Sequence, residues 1–322
     1  MGLSHAEAQR RRESEFTGGF MSAEVLHDLY ALLWDNYTQR VSYARVYQQM
    51  ILSAGGTVAN DHIAFRSLGL SVDTPQGEVN LGIEYLGQVA TALGYEVSAE
   101  YHFPHTHLYA RYYRHPQQAK LNLPKLFISE LLVDELPADI AQVIYDTVAL
   151  IPEKLPSPAS ILLSGEENYQ VVAAQLQQIF TRPWLPPRRS VVEQVNQVSQ
   201  YGAWVLLHGY SVNHFTGYVN SQNTPLYADI DTTSMGLAAL GVPMKAEIEG
   251  NVSTGLRQTA TQAVTEMVTV LDDNQQEIMI PWTYAYYEIA QRYMVEIAPG
   301  RQELYDAFLG NNAQELFKMT QR

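Results

Sequence analysis

Apolar residues recur at helical spacing through Leu26, Leu29, Tyr30, Leu33 and Tyr37, with Ser22 placed to cap the first turn. A second helical run, RVSYARVYQQMIL, stops at Gly55-Gly56, so residues 21–56 read as a helical cap. The period then changes from helical to alternating. In NDHIAFRSL (60–68) the residues Asn60, His62, Ala64, Arg66 and Leu68 share one face of a strand. Residues 79–94 return to helical spacing and end at Gly94, and strand-like stretches follow at 95–103, 106–113 and 124–132. Residues 57–135 therefore read as a β-α-β-β-β module.

Two helices are expected at 138–151 and 167–180, separated by IPEKLPSP and followed by the linker-like RPWLPP of residues 182–187. This makes 136–200 a helical insertion and linker. A second series then begins: 203–219 reads as a strand, DTTSMGLAALG as a helix, and 245–249, 262–272 and 278–297 as strands. Residues 201–298 thus repeat the β-α-β-β-β order, with no residue-level repeat visible. LYDAFLGNNAQELF places helices in 299–322, and residues 1–20 read as a leader or disordered extension ahead of one domain. The fold class predicted is α+β: paired modules closing a cupped sheet, with added helices outside.

Composition narrows the chemistry. The 322 residues contain no cysteine, which excludes a disulfide scaffold, an iron–sulfur protein, a thiolate catalyst and any cysteine-ligated zinc. A metal site must then be built from nitrogen and oxygen. With 20 Lys+Arg against 34 Asp+Glu the net charge is −14, which opposes binding to a phosphate backbone. No stretch reaches the roughly 18 consecutive apolar residues of a membrane span. The first twenty residues lack the apolar core of a secretory signal. A cytoplasmic protein with neither nucleic-acid nor membrane partners is expected, its oligomeric state left open. No phosphate-binding loop or dinucleotide fingerprint is present.

Three segments set a metal-compatible side chain inside an apolar strand: His62 in NDHIAFR, His214 in SVNHFTGY and Glu288 in YAYYEIAQRY. Such a position is costly for a polar group without a partner. Two imidazoles and one carboxylate are the ligand set of the facial triad that holds non-haem Fe(II). Taken singly, each histidine also reads as a satisfied core residue, and Glu288 as the outward member of an alternating strand. His102, His105, His107 and His115 form a second cluster, but Arg111 and Arg114 beside it disfavour a second cation, leaving His107 or Arg111 as a pocket wall. Gln258 and Thr259 in GLRQTATQAV are candidate substrate contacts, and Tyr286 shares the face of Glu288. His208 reads as a strand residue ahead of the VNHFT motif.

YYEIAQR is similar to the last strand of hydroxyphenylpyruvate dioxygenase and its relatives in the vicinal oxygen chelate superfamily. Together NDHIAFRSL, LPKLFISELLVDELP, VNHFT and IPWTYAYYEIAQRY resemble the 2-oxoadipate dioxygenase/decarboxylase family, with matches spread from about residue 24 to residue 297. The resemblance implies vicinal-oxygen-chelate modules around a metal, in agreement with the two series above. It implies that His62, His214 and Glu288 hold iron, and that Arg66 recognises a substrate carboxylate. Positions i and i+4 of a strand share a face, roughly 13 Å apart at Cα, and a guanidinium grips a carboxylate through two parallel hydrogen bonds.

The implied activity is that of an Fe(II) dioxygenase/decarboxylase. It converts a 2-oxo acid, 2-oxoadipate above all, with dioxygen to 2-hydroxyglutarate and CO2, a step of lysine catabolism. Family members with established activity are longer around the site's mouth, which leaves the choice of 2-oxo acid open. Two other functions fit the same residues. One is an oxygen-independent glyoxalase-like isomerase or hydrolase, since the triad also accepts Zn, Ni, Mn or Co. The other is a non-catalytic protein that binds a small acid.

Overall fold

A computed structural model describes residues 23–74 and 77–308. Ser22, the expected leader and residues 309–322 lie outside the described residues.

The chain opens with α1 (Ala23–Arg40) and α2 (Ser42–Ser53), which bury Leu26, Leu29, Leu33, Tyr37, Tyr47 and Ile51. Strand β1 (Asn60–Leu68) follows, then a small hairpin of β2 (Ser71–Thr74) and β3 (Gly77–Asn80), then α3 (Ile83–Ala92). Next come β4 (Glu96–Phe103), β5 (Leu108–Arg114), the single turn α4 (Gln118–Leu121) and β6 (Lys125–Leu131). Helices α5 (Ala138–Val148), α6 (Pro158–Leu162), α7 (Tyr169–Gln177), α8 (Arg189–Val198) and α9 (Gln200–His208) make the insertion. The second series is β7 (Val212–Tyr218), α10 (Ile230–Ala239), β8 (Glu249–Asn251), β9 (Leu256–Ala260), β10 (Thr265–Leu271), β11 (Glu277–Thr283) and β12 (Glu288–Arg292). A last hairpin joins β13 (Met294–Ala298) to β14 (Arg301–Leu304).

Eight strands form one sheet in the order β4-β5-β6-β1-β7-β12-β9-β8, curled into a half-barrel. The order is symmetric about the β1–β7 junction. β6 returns parallel to β1, β12 returns parallel to β7, and β1 meets β7 antiparallel. Across the junction His62 pairs with Thr216 and Ala64 with His214, so a local two-fold exchanges His62 with His214. The predicted pair of β-α-β-β-β modules is thus present, and a trace of residue repeat with it: Asp61-His62 in one module, Asn213-His214 in the other. Alternation puts His62, Ala64 and Arg66 inside the cup. Phe65, Leu126 and Ile128 point outward against Tyr30, Leu86, Val89 and Phe180.

Several element boundaries differ from the sequence expectation. Residues 203–219 are not one strand: α9 runs to His208, Gly209 turns the chain, and β7 starts at Val212. Tyr201–His208 are buried throughout, and a helix buried all round lacks the amphipathic stripe that distinguishes it from a buried strand. Gly209 has φ +58° and ψ −130°, and a Cβ there would sit 2.3 Å from Arg182 Cα, so the turn requires glycine. His208 accordingly ends a helix.

The 262–272 and 278–297 segments supply the separate β10–β11 hairpin as well as β12 and part of β13, while β9 takes the module position next to β12. Residues 301–304 form β14 rather than opening a terminal helix.

Candidate metal centre

One nitrogen each of His62 and His214 and one carboxylate oxygen of Glu288 all lie within 4.8 Å of one another, on three buried side chains. His62 Nε2 stands 3.3 Å from His214 Nε2 and 3.5 Å from Glu288 Oε1. The register explains the convergence. His62, Thr216 and Glu288 are direct cross-strand partners on β1, β7 and β12, and His214 lies two residues from Thr216 on the same face of β7. Thr216 fills the middle of the row, its Oγ1 3.0 Å from His62 Nε2 and donating to Glu288 Oε1 at 3.2 Å. The two-fold that exchanges the histidines places Phe127 of β6 where β12 has Glu288, so a single carboxylate enters the set.

Each histidine is oriented by the residue before it. Pairing skips Asp61 between Asn60 and His62, and skips Asn213 between Val212 and His214, so both are bulge residues. The Asp61 carboxylate accepts from His62 Nδ1 at 2.9 Å, and the Asn213 amide oxygen accepts from His214 Nδ1 at 3.0 Å. With Nδ1 donating, the Nε2 lone pair of both rings is free to bind a metal. Asp61 is itself gripped by Arg292, whose Nε and Nη2 donate to its two oxygens at 2.6 and 2.8 Å, and Lys125 Nζ lies 3.5 Å away.

The electrostatics fit a divalent cation. Burial lowers His62 below the usual imidazole range, Asp61 opposing it. Burial, helped by His62 and Arg66, holds His214 well below that range. Both rings are therefore neutral near pH 7, the form that ligates. Glu288 is fully buried, and its Oε2 has no hydrogen-bond partner. Burial, together with the Asp61 and Glu249 carboxylates, pushes it up to about 8 against the Thr216 hydrogen bond. A metal bound between the two neutral imidazoles would supply the positive charge that favours the ionised form of Glu288.

The other sequence-predicted residues are distributed unequally. Arg66 is 2% exposed on the inner face of β1, its guanidinium carbon 4.9 Å from the Tyr201 ring centroid and 5.1 Å from that of Trp204. Tyr286 stacks on His214 at 4.8 Å in the irregular segment before β12. That segment is pinned by Trp204 Nε1 donating to the Tyr284 carbonyl at 2.6 Å and by the Tyr37 hydroxyl donating to the Tyr286 carbonyl. Gln258 is buried and pairs with Ala290, on the same face of the sheet as Glu288. Thr259 faces the opposite way and donates to the Glu247 carbonyl at 3.0 Å.

The structure does not bring His107 to the triad. It caps the turn before β5 at φ +53°, with Nδ1 3.0 Å from Glu135 Oε2 at the surface. Arg111 is engaged by Glu100 and Tyr109. Among the described residues, the only metal-compatible group is His62, His214 and Glu288.

Asp61, Asn213, Thr216, Lys125 and Arg292 were not singled out from the sequence. The available signal was the polar residue before each histidine, together with the second charge, Arg292, four residues after Glu288.

Comparisons with known proteins assign the chain to a family. The family model of 2-oxoadipate dioxygenase/decarboxylase matches residues 27–322. This chain belongs to the 2-oxoadipate dioxygenase/decarboxylase family. It is 26% identical over 280 residues to the chloroplastic 2-oxoadipate dioxygenase/decarboxylase of Arabidopsis thaliana, covering 81% of this chain and 67% of that protein. It is an enzyme of this family's kind.

The fold is shared with hydroxyglutarate synthase from Oryza sativa, solved in complex with 2-oxoadipate. The TM-score is 0.72 at 24% identity, over 92% of this chain and 93% of that one. A glyoxalase-superfamily protein from Ralstonia eutropha gives a TM-score of 0.73 at 22% identity, over 87% and 84% of the two chains. No helix among the described residues is long and apolar enough to cross a membrane.

Proposed function

We propose that this chain is an Fe(II)-dependent 2-oxo acid dioxygenase that converts 2-oxoadipate and dioxygen to 2-hydroxyglutarate and CO2. The observation that carries the reading is the buried convergence of two neutral imidazole nitrogens and one carboxylate oxygen within 4.8 Å on three adjacent strands. His62, His214 and Glu288 hold the metal. Fe(II) bound there supplies the redox chemistry that couples dioxygen reduction to loss of the C1 carboxylate and hydroxylation of the shortened acid. The 2-oxo acid provides all the electrons, so no separate co-substrate is needed.

The remaining roles belong to side chains. Arg66 binds a substrate carboxylate through paired N–H donors, its guanidinium held among Tyr201 and Trp204. This local cation offsets the repulsion of an acidic protein for an acidic substrate. Tyr286 and Trp204 shield the site from water. Gln258 offers an amide beside Glu288, and Thr259 supports that strand. Thr216 would help orient the Glu288 carboxylate through its hydrogen bond to Oε1. A cytoplasmic location and a place in lysine breakdown belong to the same reading, as does one continuous domain over residues 21–322.

The test is anaerobic reconstitution with Fe(II), followed by 2-oxoadipate and air, with oxygen uptake, CO2 and 2-hydroxyglutarate measured together. Stoichiometric formation of all three supports the reading. Turnover without oxygen would point instead to isomerase or hydrolase chemistry. Tight 2-oxoadipate binding without turnover would point to a binding protein.

A further inference from the structure

Arg292 is 2% exposed and spends its donors in two directions. Nε and Nη2 hold both oxygens of Asp61, which orients His62. Nη1 donates to the main-chain carbonyls of Tyr305 at 3.1 Å and Ala307 at 2.8 Å. One guanidinium thus ties the support of a metal ligand to the segment that follows the last hairpin.

Residues 305–308 reach the same histidine by two more routes. Asp306 Oδ1 lies 2.9 Å from Lys125 Nζ, and Lys125 is the cross-strand partner of His62, 3.5 Å from Asp61. Phe308 sets its ring against the His62 imidazole at 4.8 Å and 85°, and packs on Tyr112 and Phe127, each at 5.1 Å. Arg292 and Lys125 thus share Asp61, and Asp306 pairs with Lys125 on the inside and with Arg114, 3.2 Å away, at the surface. His214 is supported from elsewhere, by Asn213 and Tyr286.

We propose that Arg292 is a positioning residue for the metal centre, and that it couples the centre to a C-terminal strap, residues 305–308. Seating the strap and filling the site then strengthen each other. Displacing the strap takes two acceptors from a buried guanidinium, loosens its fork on Asp61 and frees His62 to rotate. Linkage makes the effect reciprocal: a bound metal that fixes His62 must hold the strap down by the same factor. The proposal rests on the reading of His62, His214 and Glu288 as a metal centre.

The experiment loads the metal-free full-length protein with Co(II), which reports ligation by its visible spectrum, in the absence of any 2-oxo acid. Affinity is read by competition with a chelator, and hydrogen exchange is followed at the amides of 305–308. Arg292→Lys should weaken Co(II) binding roughly 10–100-fold, the usual effect of losing the group that orients a ligand. Asp306→Asn and Phe308→Ala should weaken it about ten-fold. Both lie on the strap and decide the matter if the buried Arg292 variant does not fold.

Co(II) should slow strap exchange several-fold in the unsubstituted protein and leave it unchanged in His62→Ala. Strap exchange indifferent to stoichiometrically bound Co(II), or unchanged affinity in both strap variants, overturns the proposal. If His62→Ala binds Co(II) like the unsubstituted protein, the metal-centre reading itself fails.

Discussion

Asp61 and Asn213 occupy equivalent places in the two modules: each is the bulged residue before a histidine, and each accepts from that histidine's Nδ1, at 2.9 and 3.0 Å. They differ in charge. Arg292 and Lys125 face Asp61, and their charges hold its carboxyl well below the usual carboxylate range despite burial, whereas Asn213 is neutral.

Asp61→Asn keeps an acceptor for His62 but leaves two cations with less compensation. Removing one member of a buried pair costs about 3–5 kcal/mol, and losing the orienting carboxylate weakens metal retention roughly 10–100-fold. Asn213→Ala removes only a neutral acceptor, so its stability cost is smaller, about 1 kcal/mol. Urea unfolding and elemental analysis after dialysis measure both. Equal stability loss in the two variants would contradict the assigned charge difference.

Glu288 places function and stability in opposition. Glu288→Gln replaces a buried, partly unsatisfied carboxylate by an amide whose oxygen still accepts from Thr216 and whose N–H groups face two imidazole lone pairs. In the absence of metal the variant should be more stable by about 1–3 kcal/mol, the cost of an unsatisfied buried group. It should also lose metal binding and turnover. Thermal unfolding of the two metal-free proteins tests this, and a lower melting temperature for Glu288→Gln speaks against it.

The β-α-β-β-β order and the three candidate ligands were legible because a polar, metal-compatible side chain inside an apolar strand breaks the local rule that strand interiors are apolar. His62, His214 and Glu288 each break it. The bulges were not legible, since pairing that skips Asp61 or Asn213 depends on a partner strand some 150 residues away in sequence. The helix through Trp204 and Leu207 was hidden because complete burial erases periodicity. His107 misled for the opposite reason. It falls in the stretch expected as a strand, 106–113, but the chain turns there through a left-handed residue and the ring meets Glu135 instead.

Arg66 separates binding from chemistry. A charge-assisted hydrogen-bond pair to a carboxylate contributes about 1.5–3 kcal/mol, so Arg66→Ala should raise KM for 2-oxoadipate roughly ten- to hundred-fold. kcat should change much less. Arg66→Lys should rescue little, because an ammonium has neither the planar fork nor the stacking surface that faces Tyr201 and Trp204. Initial rates of oxygen uptake across substrate concentrations decide the point. An unchanged KM would remove Arg66 from the substrate site.

A second, half-buried ion group makes the fold sensitive to acid. Glu266 on β10 receives Arg40 of α1 through Nε at 3.0 Å and Nη2 at 2.6 Å, and His208 Nδ1 at the end of α9 lies 3.3 Å away. Arg40 also lies over the Tyr284 ring at 3.6 Å. Burial pushes the Glu266 carboxyl up, but His208 and Arg40 outweigh it and bring it down to about 2. A folded value below the unfolded one means that Glu266 stabilises the fold above the ordinary glutamate range near 4.3. That contribution disappears as pH falls from there towards about 2. Melting temperatures of the unsubstituted protein and of Glu266→Gln should therefore differ most at neutral pH, with Glu266→Gln the lower, and approach each other below about pH 4. A gap that stays constant down to pH 3 would show that the carboxylate charge contributes nothing to joining β10 to α1 and α9.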